Sequence, residues 1–195
     1  MNTSHFGNAA APIARLSWWL EKYQFSEYHE IEIAREAGRV FEAIKNVDIS
    51  KSRIIRILFR IRGLPQGMSN FYTFLEYGFI LLEERENEEI IFGFLIGWNG
   101  LQKVSPDEFK HLQDKRYIKG VWNFKLSPSR ENIVLSTEAR GYCPTKLSRI
   151  RFSRYWFAIS HFNGLIRKIM LRLIKKQVEL SPQYVKANLC SYYQG

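Results

Sequence analysis

The sequence predicts an α+β fold in which a long C-terminal helix lies across a curved antiparallel sheet. One observation is the apolar series Phe152, Tyr155, Ile159, Phe162, Ile166, Ile169 and Leu173, which advances by three and four residues in alternation. That spacing marks one buried face of an α-helix. The other is that residues 77–142 read mostly as strands and turns, with the longer helical patterns before and after them. Strands segregated from helices imply α+β rather than a doubly wound parallel sheet.

Taken in order, residues 12–25 are expected to form a short amphipathic helix, with Ile13, Leu16, Leu20 and Tyr23 on one side. Trp18 and Trp19 beside that face are expected to pack on the domain rather than touch lipid. Residues 28–34 alternate, with Glu30 and Glu32 opposite His29, Ile31 and Ile33, and give a first strand. Residues 36–47 switch to helical period through Val40, Phe41, Ile44 and Val47. A second helix over 50–61 directs Ile54, Ile57, Leu58 and Ile61 inward and Arg53, Arg56 and Arg60 outward. Gly63-Leu64-Pro65 stops it.

Strands follow at 77–84, 90–98, 117–126 and 133–142. The second of these places Ile90, Phe92, Phe94, Ile96 and Trp98 opposite Ile91, Gly93, Leu95 and Gly97. Glycines on one face imply a strongly curved strand approached closely by another element. Ser105-Pro106-Asp107 caps a short helix, and Thr145 caps the long one. Ile133, Leu135, Thr137 and Ala139 face inward on the last strand. Asn163-Gly164 interrupts the long helix chemically and is expected to bend it.

At 195 residues with 46% apolar side chains, the chain can bury a core without staples and reads as one domain. The expected organisation is an extension over 1–25, a domain over 26–178 and a tail over 179–195. Cys143 and Cys190 fit neither a zinc site nor a disulfide framework, which suits a cytoplasmic protein with reduced thiols. The longest apolar run falls far short of the ~20 residues of a membrane span, so a soluble or peripheral protein is expected. His5, His29, His111 and His161 are scattered outside any metal-type spacing, and no nucleotide or nucleophile-elbow motif occurs, so no cofactor is expected.

Charge is concentrated. Residues 146–178 hold nine basic side chains and no acidic one, in a chain whose net charge is +10. Arg151, Arg154, Lys168, Arg172, Lys175 and Lys176 mostly avoid the apolar stripe and so face solvent or an anionic membrane surface. Nucleic acid is the less expected partner, because neither a recognition-helix motif nor an aromatic RNA-binding signature is present.

Four stretches carry a resemblance. Ile31-Glu32-Ile33-Ala34 running into Val40-Phe41-Glu42-Ala43-Ile44 looks like the first strand and helix of the START and birch-pollen-allergen superfamily, also called SRPBCC, which includes polyketide cyclase-like proteins. Residues 78–84, 135–140 and 151–167 are similar to an uncharacterised bacterial branch of it. The resemblance spans roughly residues 26–178 and departs at Ala37-Gly38, where relatives often carry proline. It implies a helix-grip fold with a cavity between sheet and C-terminal helix.

That resemblance leads to a non-catalytic binder or carrier of a hydrophobic small molecule or lipid. Phe92, Trp98, Trp122, Phe124, Tyr155, Ile159 and Phe162 would line its pocket. The alternative is a polyketide cyclase or dehydratase-like enzyme on an apolar substrate, with Glu138, Arg140 and Tyr155 as candidate proton-transfer groups. Glu138 and Arg140 share a parity opposite the strand's apolar residues, so an ion pair on the outer face is expected. On the reverse parity they would enter the cavity. Glu83 and Glu84 are further polar residues of interest.

Overall fold

Alternation along the strands sorts one antiparallel sheet into an inner face beneath helices and an outer face beneath the N-terminal segment. The computed structural model describes residues 15–61 and 69–180. Chain order is α1 (Arg15–Trp19), β1 (Phe25–Ile33), α2 (Ala37–Asn46), a 3-10 turn, α3 (Arg53–Ile61), a second 3-10 turn, β2 (Ile80–Arg85), β3 (Glu89–Gly97), β4 (Gly100–Gln102), α4 (Pro106–His111), β5 (Ile118–Ser129), β6 (Asn132–Tyr142) and α5 (Lys146–Glu179). The strands follow the spatial order β1-β6-β5-β3-β2, with β4 also paired to β3. This is the helix-grip arrangement, two helices after the first strand and one long helix across the sheet.

The inner core joins Val40, Phe41 and Ile44 of α2 to Phe92, Trp122, Phe124 and Leu135 of the sheet and to Ile166, Met170, Ile174 and Val178 of α5. Each fully buried large side chain here stabilises the fold by about 1.5–3 kcal/mol. On the outer face Leu16 and Leu20 pack with Ile91, Leu95, Val121 and Phe109. Gly120 is required by the inner packing, since a Cβ there would lie 2.0 Å from the Phe94 ring. The large-residue and glycine faces expected of β3 are both present.

Helix α5 begins as its sequence indicates. The Thr145 hydroxyl accepts the Ser148 amide at 3.0 Å, and the Ser148 hydroxyl accepts the Thr145 amide at 3.1 Å. The helix then runs unbroken for 34 residues, about 51 Å. Gly164 does not divide it. It lies against Glu27 and His29 of β1. The buried face of the second half follows Ile166, Met170, Ile174 and Val178, whereas Ile169 and Leu173 of the expected stripe sit at its margin, partly buried.

Helix α3 departs from the expected orientation. Ile55, Leu58 and Phe59 point inward, while Ile54, Ile57 and Ile61 are 50%, 58% and 68% exposed. The sheet also opens locally. β5 and β6 pair from Lys119 to Trp122 and resume at Lys125. In the interval the Glu138 amide donates to the Asn123 side-chain oxygen at 2.8 Å, and Asn123 donates its own amide to the buried Glu89. Burial pushes the Glu89 carboxyl above its ordinary range, against the hydrogen bond from Asn123.

Candidate functional site

The inner face beneath α5 carries a small polar set within apolar surroundings. On β1, Glu27 and His29 lie two residues apart and so point the same way. Their carboxylate Oε1 and imidazole Nε2 are 2.8 Å apart, with 15% and 18% of the side chains exposed. Gly164 of α5 rests on them: a Cβ there would meet Glu27 Oε1 at 2.6 Å and His29 Nε2 at 3.2 Å. One helical turn later, Arg167 donates to the Thr137 hydroxyl of β6 at 2.8 Å, and its guanidinium lies 5.7 Å from the centre of the Trp122 ring on β5. Among the described residues neither the buried Trp122 Nε1 nor the buried Glu27 Oε2 has a hydrogen-bond partner. A buried donor and a buried acceptor left open are uncommon in a folded chain.

Rings gather on the Trp122 side of this set. Phe92 stacks on Trp122 with centroids 4.7 Å apart, Phe71 tilts against Phe124 at 4.5 Å, and Phe79 meets Phe94 edge-on at 5.9 Å. Three of the pocket residues read from the sequence, Phe92, Trp122 and Phe124, are therefore gathered in one aromatic cluster. The side chains of Tyr155, Ile159 and Phe162 lie outside the described residues.

Trp98 is placed elsewhere. It sits at the turn between β3 and β4, 92% exposed. There it borders an open outer cleft of about 410 Å³ with Asn99, Gln102, Arg116 and Tyr117. The alternation of β3 continues in sequence through Trp98, but the strand ends at Gly97, and that is why parity misplaces it. Glu138 and Arg140 form the expected outer-face ion pair, Arg140 Nε to Glu138 Oε1 at 2.6 Å. Arg140 is 7% exposed, because α1 and the segment after it cover it. It donates to Ser17 at 2.8 Å, and its guanidinium lies 4.6 Å from the centre of the Tyr23 ring. Neither residue reaches the inner face, which removes them from any chemistry there.

The other acidic residue beneath α1 is Glu83, which accepts from Trp19 at 3.0 Å and pairs with Arg15. Burial works to raise its carboxyl, but these partners and Arg85 hold it below the ordinary range. Of the basic residues on α5, Arg151, Arg154, Lys168, Arg172 and Lys176 are exposed. Lys175 is half-buried, donates to the Glu32 carbonyl at 2.8 Å and pairs with Glu179. Cys143 is a buried free thiol whose pKa is pushed up to about 11 by burial. No helix among the described residues is long and apolar enough to cross a membrane.

The inner polar set was missed in the sequence because its members are spread over four elements. The one available signal was the shared parity of Glu27 and His29, and it is visible only when the strand is begun at Phe25.

Comparison with solved structures gives low-scoring likenesses. The chain is similar to protein MLL2253 from Mesorhizobium loti, at 11% identity and TM-score 0.41, over 78% of this chain and 98% of that one. It is similar to norcoclaurine synthase from Thalictrum flavum at 14% identity and TM-score 0.30, over 93% and 99%. Zhui aromatase/cyclase from Streptomyces sp. R1128 matches at 10% identity and TM-score 0.30, over 81% and 98%. No family model and no curated protein matches the chain.

Proposed function

We propose that the protein binds a largely apolar small molecule with one or two polar groups against the inner face of the sheet, beneath α5. The observation that carries the reading is the pair of open buried polar atoms on one face of the sheet, Trp122 Nε1 within an aromatic cluster beside Arg167 and Glu27 Oε2 beside His29. Sites for such molecules combine apolar walls with a few convergent polar groups. A ligand oxygen accepting from Trp122 Nε1 and a ligand hydroxyl donating to Glu27 Oε2 would satisfy both atoms. The expected wall residues of α5, Tyr155, Ile159 and Phe162, belong to this reading as its helical side. The exposed basic residues of α5 remain candidates for contact with an anionic membrane at which such a ligand is loaded.

The test is native mass spectrometry of protein purified gently from its own host. An apolar co-purifying mass that is lost in Trp122→Phe and in Arg167→Met supports the reading. Bare protein mass, together with no saturable quenching of tryptophan fluorescence by fatty acids or polycyclic phenols, would sink it.

A second reading, a cyclase or dehydratase-like enzyme, draws on the Glu27–His29 contact. A carboxylate that orients an imidazole is a common proton-transfer arrangement. It replaces the outer-face pair Glu138–Arg140 as the candidate acid–base group. Ligand that stays bound to His29→Gln but is no longer converted would favour it. Conversion unaffected by that substitution would exclude it.

A further inference from the structure

Helix α3 presents two parallel rows to the outside. At about 100° per residue, Ile54, Ile57 and Ile61 fall along one line and Arg53, Arg56 and Arg60 along the next, each row spaced by three and four residues. The inward face is filled by Ile55, Leu58 and Phe59, all under 7% exposed, so the outer isoleucines contribute nothing to the core. Residues 49–61 contain Lys51 and three arginines and no acidic side chain. No ion pair involving Arg53, Arg56 or Arg60 occurs among the described residues.

We propose that α3 is the element by which this protein docks on an anionic lipid bilayer. It would lie in the interface with its isoleucine row in the acyl boundary and its arginine row among headgroup phosphates. A surface helix that shows large aliphatic side chains on one flank and only cations on the other is built for that boundary. A row of half-exposed isoleucines is a liability in water alone. The charge complementarity selects anionic lipid over a neutral apolar partner, whose approach would leave three guanidinium groups without counter-charges. The inference stands apart from the ligand reading, since it involves no residue of the inner face.

The experiment is sedimentation of the full-length protein with vesicles of phosphatidylcholine alone and of phosphatidylcholine with three parts in ten phosphatidylglycerol, at low and at physiological salt. The wild type is expected to bind the anionic vesicles, more weakly at the higher salt. Each arginine changed to glutamine is expected to lower partitioning about fivefold, the equivalent of about 1 kcal/mol per basic residue. Ile57→Ser/Ile61→Ser should lower it at least tenfold on the same vesicles, with an unchanged circular dichroism spectrum because both sites are exposed. Arg151→Gln/Arg154→Gln on α5 separates the two helices. If that variant loses binding while the α3 variants keep it, the assignment to α3 is overturned. Absence of wild-type binding at low salt overturns it too. So does a dimer in sedimentation velocity that Ile57→Ser/Ile61→Ser dissociates while vesicle binding stays intact. That result would make the row a contact with a second copy.

Discussion

Gly164→Ala places the contact between α5 and β1 under direct test. Within a helix, alanine is ordinarily favoured over glycine by about 1 kcal/mol. Here the added methyl would stand 2.6 Å from Glu27 Oε1 and 3.2 Å from His29 Nε2. The carboxylate must retreat, and its 2.8 Å contact with His29 is lost. Overpacking of this kind costs about 1–3 kcal/mol, so the net expectation is a loss of about 1 kcal/mol, read as a melting temperature lowered by about 2–4 °C in a domain of this size. With Glu27→Ala as background the obstacle is gone, and the same substitution should stabilise by up to about 1 kcal/mol. The two sites are therefore expected to couple by about 2 kcal/mol. Urea unfolding of the four proteins measures it. Gly164→Ala raising stability in the wild-type background, or acting equally in both backgrounds, would refute the proximity of Gly164 to Glu27.

Three further expectations follow from the outer face and its edge. Glu89 has its pKa raised by burial, so the stability it contributes is complete below the ordinary value of 4.5 and is lost as pH rises through the higher folded value. Glu89→Gln should therefore gain on the wild type as pH increases from that point, and parallel thermal-stability profiles from pH 4 to 8 would contradict this. Arg140→Met removes the hydrogen bonds to Glu138 and Ser17 and leaves a partly covered carboxylate, at a cost of about 2–3 kcal/mol in urea unfolding. A cost below about 0.5 kcal/mol would mean that α1 is not held there. Trp98→Ser, at a 92% exposed turn position, should change stability by less than about 0.5 kcal/mol and leave any inner-face ligand bound. Loss of that ligand would return Trp98 to the site.

The sheet was legible because period two is unforgiving. In β6 one parity carries most of the apolar residues and in β3 one parity carries the aromatic rings and the other the glycines, so faces could be assigned without coordinates, and Glu138 and Arg140 followed onto the outer one. Helix α3 was not legible in the same way. Six of its nine residues are apolar, isoleucines occur on both flanks, and a hydrophobic line can be drawn on either side of Leu58. Only the location of α5 and the sheet chooses Ile55 and Phe59 over Ile54 and Ile61. The candidate site was the least legible part. Thr137 was read only as an inward-facing residue and Arg167 only as one more positive charge on a helix. Their meeting depends on how α5 is rotated over β6, and local pattern carries no record of that rotation.

The pairing of β1 with β6 also governs how this chain must come together. Phe25 sits opposite Gly141, and Ile33 opposite Ile133, so among the described residues the first strand has its one sheet neighbour about a hundred residues downstream. During synthesis β1 leaves the ribosome long before that partner exists. Its hydrogen-bonding edge stays open until β6 is made, and its inner face is covered only when α5 follows. Contacts of such sequence separation slow folding and leave edges available to wrong partners. The alternating glutamates Glu30 and Glu32 on that strand would then act as guards during the wait, since charge along an open edge discourages pairing with another chain.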